Sequence, residues 1–157
     1  MSPPPSTQPQ PGGGQTQPPG PHSRPALLGR SVPAEEYGQL DTFPSDPAQT
    51  WVELTGDELS ALCPAVAGLQ PDWYRWSVRY RPRGRCLESK SLKLYLLTFR
   101  DEPIFAEHLV ARIARDLAGA LDTEVTVRLT QKSRGGIETT AEALAAAPAT
   151  KTPPLPA

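Results

Sequence analysis

The sequence predicts an α+β fold: an antiparallel four-stranded sheet with two helices on one face, in the order β-β-α-α-β-β. Three observations predict it. From Asp72 the chain alternates Tyr74, Trp76, Val78 and Tyr80 with Trp73, Arg75, Ser77 and Arg79, the period of a strand with one apolar and one largely cationic face. Between Glu88 and Leu121 the period becomes helical. Leu92, Tyr95, Leu96 and Phe99 fall at i, i+3, i+4 and i+7, and Phe105, Leu109, Ile113 and Leu117 recur every fourth residue. Glu124 to Thr130 then alternates again. Central helices flanked by strand pairs place both helices on one face of a small sheet.

Taken in order, residues 1–26 are rich in Pro, Gly and Gln, with little to bury, and read as a disordered tail. Residues 27–140 read as a single domain. Tyr37 to Pro47 is an extended lead-in, with Leu40 and Phe43 as its anchors. Trp51 to Leu54 reads as a strand, followed by a loop or short turn through Asp57, Glu58 and Leu59. Leu62 and Cys63 end at Pro64, which blocks a helical continuation. Gly68 to Pro71 is turn-rich, and the second strand begins near Asp72. Pro82 to Arg85 is a turn.

The first helix is expected over Glu88 to Arg100, and Pro103 suits the first position of the second. After the strand at Glu124 to Thr130, Lys132 to Gly136 forms a basic glycine-containing turn. Ile137 to Thr140 pairs back as a short strand. Residues 141–157 read as a flexible Ala/Pro-rich tail.

Composition narrows the function. A net charge of −1 gives no electrostatic support for a nucleic-acid partner. No apolar run is long enough for a membrane span, and the N-terminus lacks the pattern of a secretory signal. Two cysteines make no disulfide framework, so a reduced, cytoplasmic setting is expected. Cys63, Cys86 and His108 lack the paired spacings of a zinc site, and no metal is expected.

Several residues could carry chemistry. Cys63, at a loop entrance, is either a small buried hydrophobe or a nucleophile. A thiol that attacks needs a proton acceptor, and its adduct needs a proton donor. Asp72, across the turn, could serve as both, or could simply start a strand. Glu107 is either a favourable charge near a helix N-terminus or an acceptor for ring N–H groups. Lys90, Lys93 and Arg134 are either a solvated basic face or phosphate ligands, with Gly135 and Gly136 allowing close backbone approach. No G-x-G-x-x-G is present to suggest a Rossmann domain.

The stretch Glu88-Ser89-Lys90-Ser91-Leu92-Lys93-Leu94-Tyr95 resembles the signature of the QueF family. These are NADPH-dependent nitrile reductases of queuosine biosynthesis, which convert 7-cyano-7-deazaguanine to 7-aminomethyl-7-deazaguanine. Three further pieces match in the same order. They are Leu62-Cys63-Pro64 with Gly68 and Gln70-Pro71-Asp72, then Phe99-Arg100 with Phe105-Ala106-Glu107, then Arg134-Gly135-Gly136-Ile137. The similarity runs from Leu40 to Ile137.

The resemblance implies a tunnelling fold (T-fold) and a ring-shaped homo-oligomer, usually two pentamers face to face, with active sites between subunits. It gives Cys63 the role of thioimide-forming nucleophile and Asp72 that of proton donor. It sets Leu87, Glu88, Ser89 and the backbone of Ala106 against the deazaguanine, and Glu107 on its guanine-like edge. Lys90, Lys93 and Arg134 hold the NADPH phosphates.

The chain departs from the family pattern in three places. Ala106 stands where the pattern has a histidine, and His108 is about 100° further around a helix. The segment Ala65 to Pro71 is longer than usual. The C-terminal end lacks the aromatic tail of some members. Two alternatives remain open at this level: amidinotransferase chemistry on the same nitrile, with ammonia as nucleophile, and a non-catalytic module for a purine-like ligand. A GTP cyclohydrolase-type enzyme shares the fold but needs metal ligands that this chain does not offer.

Overall fold

The computed structural model describes residues 33–66 and 70–147, so the expected tail at 1–26 lies outside the described residues. Eight elements follow in order. They are strand β1 (Thr42–Pro44), β2 (Val52–Leu62), β3 (Pro71–Tyr80), β4 (Arg85–Leu87), helix α1 (Ser89–Leu97), α2 (Ala106–Leu121), β5 (Val125–Arg134) and β6 (Ile137–Ala145). Strands β2-β3-β5-β6 form an antiparallel sheet in that spatial order, and β1 pairs with β4 in a separate ribbon. This is the expected α+β architecture.

The alternation in β3 sets the inner face. Tyr74, Val78 and Tyr80 are buried, and Val125, Val127 and Leu129 join them from β5. Leu109, Ile113, Leu117 and Leu121 of α2, with Leu92, Tyr95 and Leu96 of α1, close the same core. Between the helices, Tyr95 Oη donates to Asp116 at 2.6 Å.

Several boundaries differ from the sequence reading, each for a physical reason. The first strand does not stop at Leu54. It runs to Leu62 through a bulge between Gly56 and Leu59, which absorbs the charged pair Asp57-Glu58 that interrupts the alternation. Helix α1 ends at Leu97, and the Thr98 hydroxyl donates back to the Tyr95 carbonyl at 2.7 Å. Pro103 does not open α2, because the chain there is pinned beside β2. The Leu62 N–H donates to the Glu102 carbonyl at 3.0 Å, and the Ile104 N–H to the Leu62 carbonyl at 3.1 Å.

Phe105 therefore becomes the N-cap residue of α2 and is half exposed, outside the core stripe. Phe43 is likewise exposed, and only Leu40 anchors the lead-in. The expected loose tail from Ala141 begins instead as strand. Ala141, Ala143 and Ala145 face inward from β6, paired opposite Leu129, Val127 and Val125. Alanine has weak strand propensity, but its small side chain lets α2 lie close over this edge, and pairing decides. The turn expected over Lys132 to Gly136 narrows to Gly135-Gly136. Their φ angles of 62° and 81° suit a two-residue hairpin.

No helix among the described residues is long and apolar enough to cross a membrane.

Candidate active site

Cys63 and Asp72 meet because of the β2–β3 register. Ala61 pairs with Asp72 and Leu62 with Pro71, so Cys63 lies one residue past the end of the ladder. Its N–H donates to the Gln70 carbonyl at 2.9 Å, closing the hairpin, and a 3₁₀ turn at Pro64–Val66 carries the chain away. Cys63 and Asp72 are both buried, at 6% and 7% exposure.

The pinning of Glu102 and Ile104 to Leu62 brings the N-terminus of α2 to the same place. The result is a cleft of about 250 Å³ lined by Cys63, Asp72, Phe105, Ala106, Glu107 and Arg134, with Gln131, Ile137 and Thr139 on its β5–β6 side. A thiol, two carboxylates and a guanidinium thus converge beside the positive end of a helix dipole.

Arg134 links these groups. Its Nη1 donates to Asp72 Oδ1 at 2.5 Å. Its interaction with the Cys63 side chain, followed by the charges of Asp72, Cys63 and Tyr74, pushes the guanidinium above its ordinary value, and desolvation opposes this. With its amide oxygen turned inward, Gln70 accepts from Arg134 Nη1 at 3.0 Å and from Nε at 3.3 Å. Under this cluster sits Tyr74, two residues along β3 from Asp72 and fully buried. Its hydroxyl has no hydrogen-bond partner among the described residues. Burial raises its pKa most, with further increases from Asp72, Cys63 and Glu107, while Arg134 lowers it.

The other expected site residues stand elsewhere. Leu87 is buried in β4, with its N–H donating to Tyr80 Oη at 2.9 Å. Glu88 caps α1, accepting from the Lys90 and Ser91 N–H groups at 2.9 and 2.7 Å. Ser89 and Lys93 border a second groove of about 270 Å³, with Thr55, Gly56 and Trp76. Lys93 pairs with Glu58 at 3.4 Å, both side chains being largely exposed. Lys90 is partly buried in the first turn of α1. One chain therefore gathers Cys63, Asp72, Ala106, Glu107 and Arg134, and holds Leu87 to Lys93 apart from them.

Sequence reasoning missed four lining positions. Phe105 was hidden in an apparent core repeat. Gln131 and Thr139 face each other across the β5–β6 ladder, and Ile137 ends it; their alternation on the inner face was the available signal. Among the described residues, no group of three or more His, Cys, Asp or Glu side chains is placed to hold a metal ion.

Comparison with known proteins places the chain in a family. Residues 71–150 match the family model described as QueF-like protein. A curated protein of Frankia casuarinae, named NADPH-dependent 7-cyano-7-deazaguanine reductase, is 46% identical over 99 residues, covering 62% of this chain and 78% of that protein. One of Syntrophus aciditrophicus with the same name is 39% identical over 132 residues, covering 82% of this chain and 91% of that protein. Among solved structures, the apo form of the archaeosine synthase QueF-Like superposes with a TM-score of 0.56 at 23% identity, over 62% of this chain and 94% of that one. That likeness speaks for the T-fold alone. With the matched region and the extent of these identities, the chain belongs to the QueF family.

Proposed function

We propose that this protein is an NADPH-dependent 7-cyano-7-deazaguanine reductase, acting in the cytoplasm in queuosine biosynthesis. The observation that carries the proposal is that a buried thiol and a buried carboxylate, Cys63 and Asp72, line one cleft at the N-terminus of α2. The names of the curated relatives support the substrate and the cofactor.

The residues at the cleft rim fit a phosphate-bearing cofactor. Arg134 leaves 36% of its side chain exposed. Nothing lies within 4 Å of a Cβ built on Gly135 or Gly136, so a ligand can approach that backbone closely. Lys90 and Lys93 would add charge for the same phosphates. NADPH, when bound, supplies the two hydrides of the four-electron reduction.

The chain's own groups do the rest. The Cys63 thiolate adds to the nitrile carbon, one C–N π bond opens, and Asp72 delivers a proton to the nitrogen, giving a thioimide. Once that C=N bond has gained the first hydride and a proton, the C–S bond breaks and the nitrogen gives up one proton, returning the thiolate and leaving an imine. The second hydride and proton give the primary amine. Overall, one nitrile, two NADPH and two protons become one aminomethyl group and two NADP⁺. Glu107 pairs with the guanine-like edge of the ring, and the Ala106 backbone borders it.

Leu87, Glu88 and Ser89, apart from the cleft within one chain, would border the substrate from a neighbouring copy in a ring-shaped homo-oligomer.

The test is NADPH consumed per nitrile by the purified protein, with Cys63→Ala as control. Two per nitrile, abolished in the variant, is the expected result. A covalent adduct on Cys63 without NADPH oxidation would instead assign amidinotransferase chemistry. Neither oxidation nor adduct would leave a ligand-binding module.

A further inference from the structure

The end of the sheet away from Cys63 holds another cavity, of about 560 Å³ against about 250 Å³ for the Cys63 cleft. Arg79 stands seven residues along β3 from Asp72, about 23 Å at the rise of a strand, so within one chain the two are separate. The guanidiniums of Arg79, Arg81 and Arg83 line the cavity, together with Thr50, Trp51 and Glu124. We propose that it is a binding site for a nucleoside di- or triphosphate. The proposal does not rest on the reductase reading and assigns nothing to Cys63.

No carboxylate neutralises these cations. Among the described residues, Arg79, Arg81 and Arg83 form no ion pair. Glu53 stands opposite Arg79 in the β2–β3 register, and the two side chains do not bridge. The lining itself carries a single carboxylate, Glu124, against three guanidiniums. Like charges converging on one concavity repel each other, and an anion of several charges relieves that repulsion. The planar guanidinium fork fits phosphate oxygens two at a time.

The fold holds the arginines in place without a ligand. Arg79 is fixed in β3 between Glu53 of β2 and Thr126 of β5, and its guanidinium lies 5.1 Å from the centre of the Trp51 ring. The Thr123 hydroxyl donates to the Arg81 carbonyl at 3.1 Å. Arg83 sits in the turn between β3 and β4. There Gly84 takes a φ of 81°, and its carbonyl accepts from the Ser45 N–H at 3.2 Å.

The remaining wall groups fit the rest of a nucleotide. Trp51 is 52% exposed and offers ring surface on which a base can stack. The Glu124 carboxylate can accept from ribose hydroxyls. An inorganic anion would use the arginines and leave the indole and the carboxylate without a role. The volume lies within the roughly 300–1,000 Å³ of small-molecule sites.

The experiment is calorimetric titration of the full-length protein with ATP and, separately, with inorganic pyrophosphate, without nitrile or NADPH. One ATP per chain is expected. Affinity for ATP is expected to fall by about tenfold or more in Arg81→Gln/Arg83→Gln, as charge-assisted pairs are lost. Lys90→Ala/Lys93→Ala is expected to keep it, which separates this cavity from the proposed cofactor phosphates. Trp51→Leu is expected to weaken ATP and leave pyrophosphate unchanged.

Absence of ATP binding, or equal affinity in the arginine variant and the wild type, overturns the site. Loss of ATP binding in the lysine variant instead of the arginine variant places ATP on the cofactor residues and also overturns it. Pyrophosphate binding as tightly as ATP, with Trp51→Leu indifferent to both, overturns the nucleotide assignment. Each of these results leaves the reductase reading standing, because none is read through nitrile reduction.

Discussion

The Glu88 carboxylate caps helix α1, with Oε2 accepting from the Ser91 N–H at 2.7 Å and Oε1 from the Lys90 N–H at 2.9 Å. The Ser91 hydroxyl fixes the same corner, donating to the Glu88 carbonyl at 2.8 Å and accepting from the Asp41 N–H at 2.9 Å. The residue proposed to border the substrate is therefore also a structural cap. Glu88→Ala is expected to destabilise the fold by about 1 kcal/mol, the usual worth of an N-cap. Glu88→Gln keeps one acceptor oxygen, so its stability loss is expected to be smaller. Its Michaelis constant for the nitrile is expected to rise, because the negative charge is gone. Urea denaturation and initial rates on the two variants separate the roles. Equal stability losses in both would show that the cap does not depend on the retained oxygen.

Trp76 lies against Gly56 so closely that a Cβ there would stand 2.5 Å from the ring. The indole is stiff and its Nε1 is buried, so the ring has to shift as a body. Gly56→Ala is expected to cost about 1–3 kcal/mol, the range for overpacking a filled site. The double variant Gly56→Ala/Trp76→Leu is expected to fall short of the sum of its single costs, since the clash disappears with the ring. Additive denaturation energies would mean that the two residues do not press on each other.

The central elements were legible because their burial is one-sided. Tyr74, Val78 and Tyr80 had to face one way on a strand, and Leu109, Ile113 and Leu117 one way on a helix. The bulge at Gly56 to Leu59, the pinning of Pro103 and the extension of β6 through Ala145 depend on partners far along the chain, which local pattern does not carry. For the site, Cys63 and Asp72 were legible through the resemblance, and the register explains their meeting. The Arg134–Asp72 contact was not, because the glycine hairpin that aims Arg134 inward looks the same in sequence whichever way the side chain points. Tyr74 was legible only as a core residue, since alternation reports a face and not what its hydroxyl meets.

Three buried tyrosines, Tyr74, Tyr80 and Tyr95, are each raised above their ordinary value of 10.0, with burial the leading cause. The sign follows from linkage. Above about pH 10 the unfolded phenols lose protons while the folded ones keep theirs, so the unfolded state gains and stability falls as pH rises. Each such tyrosine contributes a loss of roughly 1.4 kcal/mol per pH unit in that range. The melting temperature is therefore expected to drop steeply above about pH 10. Tyr95→Phe is expected to be less stable at neutral pH, having lost the Asp116 hydrogen bond, but to show a shallower alkaline slope. An unchanged slope in Tyr95→Phe would contradict its protection from ionisation.

The separation of Leu87 to Lys93 from the Cys63 cleft leads to the last prediction. Lys93 shares its groove with Ser89 and Trp76, and Cys63 shares its cleft with Asp72 and Arg134. If both groups serve one reaction, the second group comes from another copy of the chain. Cys63→Ala and the double variant Lys90→Ala/Lys93→Ala are each expected to have little activity at limiting NADPH. The lysine variant should be rescued in part by high cofactor, and neither should lose much stability, since the exposed Lys93–Glu58 pair contributes little. Unfolding the two variants together and refolding them as a mixture is expected to restore activity, because some sites then pair an intact cleft with an intact lysine pair. For random mixing in a ring with two-copy sites, roughly a quarter of the sites recover. Activity no higher than the average of the separate variants would place the lysines and Cys63 of one chain in the same site, and would require the chain to bend in a way that this fold does not show.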